Sequence, residues 1–183
     1  MNQSSQSTSH SLSFPDAIAL TQSVIQQIET NQLNETESNK AIADIIQTKA
    51  GARGFFVAYL TGNSDLADHP TPEIIKGLEL SPEVVSDLLV KNVAMSAAMK
   101  LTHLRNQDQN AAAESEQVNR RTINLIQQLN MPEIEREIKE LQSTIMKGEG
   151  LYQEFLTRWG YDEEQQAAIQ TAISSIKGKN NQQ

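Results

Sequence analysis

Asp65, Asp68 and His69, in the segment NSDLADHP, are the side chains whose types and spacing come nearest to a metal site. A calcium loop needs oxygen ligands at alternating positions, glycine at the sixth place and a bidentate glutamate at the twelfth. Counted from Asn63, those two places hold Asp68 and Ile74, so the pattern fails. A transition-metal site would need further imidazole, and the remaining histidines, His10 and His103, are remote in sequence. The segment reads as a polar connection, and no metal or cofactor is expected. A second group is cationic: His103 and Arg105 close one helical segment, and Arg120 and Arg121 lie in the next. Set side by side, these helices would form an anion pocket, selective in an acidic protein. Alternatively, His103 and Arg105 only complement the negative end of their own helix dipole, and Asp108, Glu114 and Glu116 neutralise the rest.

The segment GARGFFVAYL gathers three of the chain's aromatic residues, Phe55, Phe56 and Tyr59. At helical spacing they share one side, as do Tyr152, Phe155 and Trp159 further on. Each ring buries on the order of 150–250 Å², so two patches that meet would dominate a helical core. The competing reading makes the Phe55, Phe56, Tyr59 surface an exposed groove for a partner helix or a flat hydrophobic ligand, with Arg53 as an anion contact at its edge. Catalytic signatures are missing: there is no glycine-rich phosphate loop after a strand, no H-E-x-x-H and no G-x-S-x-G. No carboxylate is singled out by an apolar setting, so no catalytic residue is assigned.

Composition narrows the classes further. The 183 residues fit one domain, and the net charge of −8 argues against nucleic acid and anionic membrane surfaces as partners. No stretch of 18 consecutive apolar residues occurs, and the opening MNQSSQSTSHSLS lacks the features of a signal peptide, so a cytoplasmic location is expected. With no cysteine, disulfides, thiolate nucleophiles and zinc–thiolate sites are excluded.

The elements that must position these residues are helical throughout. Ser13 caps a helix with Pro15 in its first turn and Ala17, Leu20, Val24 and Ile28 on one face. Asn34 and Glu37 repeat the cap logic ahead of Ile42, Ile45 and Ile46, and Gly51 offers a stop or a bend, leaving 35–61 as one kinked helix or two. Thr71-Pro72-Glu73 and Ser81-Pro82-Glu83 read as hydroxyl caps with proline at the first helical position, and Met131-Pro132-Glu133 as a further helix start. A long helix then runs to about Arg105, with small residues at Ala94, Ser96, Ala97 and Ala98 that invite close helix approach. Val118, Thr122, Leu125 and Leu129 form one heptad-like seam, and Ile134, Ile138, Leu141 and Ile145 another. The short proline-containing link between them suits an antiparallel hairpin. Asp162 caps a last helix bearing Ile169, Ala172, Ile173 and Ile176. The expectation is an all-α, single-domain helical bundle of about seven helices over 13–177, with disordered tails at 1–12 and 178–183.

The stretches GARGFFVAYLTG and DLLVKNVAMSAAM, and the amide-rich, cysteine-free composition, resemble small, soluble, uncharacterised cyanobacterial proteins; the resemblance covers roughly 51–130 and implies no activity. The leading expectation is a non-enzymatic soluble module that binds another protein, or itself as a homodimer along a seam. A carrier of a small hydrophobic or anionic ligand is the alternative, and an enzyme with an unrecognised site a weaker one.

Overall fold

The computed structural model describes residues 12–177. The tails expected at 1–11 and 178–183 lie outside these residues, while Leu12, assigned to the first tail, is half-buried against the core. Among the described residues there are nine α-helices and no strand. They are α1 (Phe14–Glu29), α2 (Glu35–Ile46), α3 (Lys49–Thr61), α4 (Pro72–Glu79), α5 (Pro82–Arg105), α6 (Gln109–Gln128), α7 (Pro132–Lys147), α8 (Gln153–Trp159) and α9 (Glu163–Lys177), with a 3-10 turn at Asp65–Ala67. None is long and apolar enough to cross a membrane.

The all-α expectation holds, and the number of helices exceeds the expected seven because short helices stand alone. Ser13 accepts from the Asp16 amide, and Asn34 and Glu37 close a reciprocal capping box, both as the sequence predicts. The segment 35–61 is two helices, and the break falls at Gln47–Thr48, where the Thr48 hydroxyl accepts from the Gly51 amide. Gly51 is thus neither a stop nor a bend. A Cβ there would stand 1.9 Å from the Ile45 carbonyl oxygen, so glycine lets α3 start against the end of α2. Pro72 and Pro82 occupy first-turn positions, yet neither the Thr71 nor the Ser81 side chain caps its helix. There proline and the acidic first turn mark the start without the hydroxyl.

Two groups of helices meet across α3, α4, α5 and α6. In the first, α1 packs along α3 and α2 along α4. The second is built around α5, which lies against α6, α7 and α9 and also touches α3 and α4. A helix contacted from so many sides must be apolar nearly all round, and Val85, Leu88, Leu89, Val90, Val93, Ala94 and Ala98 are all buried. Its small residues do admit close neighbours. Asn119 of α6 donates its side-chain amide to the Val93 carbonyl at 3.0 Å and to the Ser96 hydroxyl at 2.9 Å, and Gln165 of α9 reaches the Thr102 hydroxyl at 2.9 Å.

The expected hairpin of α6 on α7 is not what forms. Leu129 and Met131 are extended, α6 and α7 do not pack along each other, and both seams are laid inward, chiefly against α5. Thr122, Leu125, Leu129, Ile134, Ile138 and Leu141 are buried within the chain, with Val118 and Ile145 half-buried, so no heptad-like seam remains for a second copy.

Candidate functional site

Phe55, Phe56 and Tyr59 are core. Their exposures of 0%, 2% and 1% decide against an exposed aromatic groove on α3. Phe55 stacks on Tyr59 at 5.3 Å between centroids and meets Phe56 edge-on at 5.4 Å. The cause is the close crossing of α1 and α3: a Cβ at Gly54 would lie 2.5 Å from the Ala17 methyl and 2.9 Å from the Phe14 carbonyl oxygen. With backbones this near, the rings can only point inward. Arg53 remains outside, its guanidinium 5.4 Å above the Phe14 ring, a cation–π contact and not the rim of a groove.

The four cations of the expected anion pocket are dispersed. α5 and α6 do lie side by side and antiparallel, with Lys100 2.5 Å from Glu116. That register leaves His103 about 12 Å along the axis from the point opposite Arg121, at 1.5 Å per residue. Arg105 is held by Asp162 at 2.6 Å and by Glu164, and its hydrogen bond to Asp162 is the main cause that keeps that carboxyl below its ordinary range. Arg120 and Arg121 do meet an anion, but it is Asp68 from the chain's own α3–α4 connection. Arg121, 3% exposed, donates from Nε and Nη2 to Asp68 Oδ2 at 3.1 and 2.7 Å. Its Nη1 donates to the Leu60 and Gly62 carbonyls at 2.9 and 2.7 Å, satisfying acceptors at the C-terminal end of α3. Arg120 Nη1 stands 2.9 Å from Asp68 Oδ1. Hydrogen bonding from Arg121 is the main reason the Asp68 carboxyl is held below the usual carboxylate range. An open cleft of about 460 Å³ lies over this cluster, lined also by Asn119, Gln127 and Ser175.

The rest of the connection serves the same joint. Asn124 donates to the Asp68 carbonyl at 3.0 Å, and the Tyr59 hydroxyl donates to the Leu66 carbonyl at 2.5 Å. Burial is the first cause of the Tyr59 phenol being pushed well above its ordinary value. The His69 backbone amide donates to the Asp65 carbonyl at 2.8 Å. Among the described residues no three His, Asp or Glu side chains gather as a metal site would require.

Exposed large apolar side chains occur singly at Leu20, Val57, Leu80 and Leu104 and are most exposed around α8. Met146, Leu151 and Trp159 are 79%, 76% and 49% exposed, large apolar side chains within a short stretch. The two aromatic patches do not join: ring pairs form within each, Tyr152 with Phe155 at 6.1 Å and Phe155 with Tyr161 at 6.0 Å. Tyr152 anchors the inner side of α8. It is buried, its hydroxyl donates to Glu137 Oε2 at 2.7 Å, and burial, then that bond, pushes its phenol far above the ordinary value. Lys91, paired with Asp87 at 2.5 Å, sits 5.6 Å from the Tyr152 ring centroid and 5.9 Å from that of Phe155. Tyr152 and Leu156 are thereby fixed inward, and Trp159 departs from its expected partners because it stands one position before the left-handed Gly160 that ends the helix. The outer side, Leu151, Gln153, Glu154, Thr157 and Arg158, lines an open, mainly apolar cleft of about 710 Å³. The aromatic spacing of LYQEFLTRWG points away from these residues. The signal was there in Leu151, Glu154 and Arg158, spaced by three and four on the opposite side.

A model for the family described as Uncharacterised conserved protein UCP020893 matches residues 13–176. No curated protein and no solved structure matches the chain.

Proposed function

The chain belongs to this uncharacterised conserved family, and we propose that it is a non-enzymatic, soluble, cytoplasmic α-helical module that binds another protein through the outer face of α8. One observation carries the reading: large apolar side chains stand in solvent around α8, Leu151 just before its first turn and Trp159 at its last residue, while Tyr152 anchors its inner side. Exposed apolar surface is the usual mark of a docking site. The carrier alternative has less behind it, because both clefts are open and the α3 aromatics fill the interior.

A photo-reactive amino acid in place of Thr157 tests this in cells. It should give a discrete protein adduct that disappears when Leu151→Asp is added, while the same group at the exposed Glu135 of α7 gives none. Leu151→Asp should leave the melting temperature unchanged. Equal adducts from both positions, or an adduct indifferent to Leu151→Asp, would overturn the reading.

A further inference from the structure

The α8 surface has a charge pattern that selects among partners. Between 146 and 159 the charged residues are Lys147, Glu149, Glu154 and Arg158, two cations and two carboxylates, in a chain of net charge −8. Two copies of so acidic a protein repel over most of their surfaces, and a neutral region such as this one lowers that cost. Glu154 and Arg158 are four residues apart on the outer side of α8, both exposed, and neither is in an ion pair among the described residues. A two-fold axis makes contacts reciprocal: whatever i meets on the partner, the partner's i meets here. Antiparallel pairing of two α8 helices about an axis between these residues sets Glu154 against the partner's Arg158 and Arg158 against the partner's Glu154. The exposed Leu151 and Trp159 side chains flank that axis and supply apolar cover.

We propose that the partner at the outer face of α8 is a second copy of this chain, in an isologous dimer closed by two reciprocal Glu154–Arg158 contacts. The inference rests on the reading of α8 as a docking surface and adds the occupant. A seven-residue helix is about 10 Å long, so the contact is small and belongs with weak, concentration-dependent associations.

Charge reversal distinguishes this arrangement from others. Sedimentation of the full chain across a concentration series should show monomer passing to dimer, and emission from Trp159, the chain's one tryptophan, should shift to the blue in parallel. Glu154→Arg alone places cation against cation twice, and Arg158→Glu alone places carboxylate against carboxylate twice. Each should weaken the dimer roughly tenfold or more, with unchanged helical content and melting temperature. An equimolar mixture of the two single variants should re-form a dimer, because each reversed contact then finds its opposite. A monomer at every concentration overturns the self-pairing. If the position-157 adduct persists as a heterologous protein, the docking surface stands and only its occupant was wrong; if the adduct is also lost, both fall. A dimer insensitive to either reversal, or a mixture that fails to recover, likewise overturns the proposed seating.

Discussion

Asp68 holds two guanidinium groups, and the protein's acid stability follows from that placement. Its carboxyl is held down in the folded chain, first by the hydrogen bonds from Arg121. The resulting stabilisation is present above the unfolded carboxylate value near 4 and is lost as pH falls through the lower folded value. Urea unfolding as a function of pH should therefore show a loss below about pH 4 that Asp68→Asn removes. At neutral pH the same substitution leaves the 3%-exposed Arg121 without its counter-ion and should cost roughly 3 kcal/mol, read from the urea midpoint. Tyr161 makes the opposite case. Burial pushes its phenol up to about 12, and its hydroxyl finds no hydrogen-bond partner among the described residues. Tyr161→Phe removes an unsatisfied group and should leave stability within about 0.5 kcal/mol or raise it.

Helix starts and their packing show which elements a linear pattern can specify. The Ser13 cap, the Asn34–Glu37 box and the Asp162 cap, whose carboxylate accepts from the Gln165 amide at 2.9 Å, are local in sequence and were legible. Thr71 and Ser81 were misread because a hydroxyl before proline has the composition of a cap whether or not its rotamer makes the bond. The seams of α6 and α7 were legible as seams but not as to partner: periodicity fixes which face is buried, whereas the link extended at Leu129 and Met131 decides against what. The same limit applied to the candidate site, since the spacing grouped Phe55, Phe56 and Tyr59 but could not reveal the α1 backbone lying against Gly54. Gly54→Ala tests that crossing. Its methyl would meet the Phe14 carbonyl, which cannot rotate away, so α1 and α3 must part, at a cost of roughly 1–3 kcal/mol in thermal or urea unfolding.

Across the molecule, stability should be graded outward from α5. Every helix of the second group depends on it, and α3 and α4 touch it as well, so its central amides can exchange only when the whole chain unfolds. The amides of α8, attached chiefly through the side chains of Tyr152, Phe155 and Leu156, should exchange by local opening and much faster. Native-state hydrogen exchange read by mass spectrometry checks this gradient, and protection of α8 equal to that of α5 would contradict it. The girdle of α5 also imposes an order on synthesis. Its apolar sides await α6, α7 and α9, which end at Lys177, some 72 residues after Arg105. At ribosomal speeds of about 5–20 residues per second, the nascent chain carries an uncovered greasy helix for on the order of 4–14 s. In that interval α1 to α4 can already settle on one another, and the remainder is a client for whatever shields emerging polypeptides.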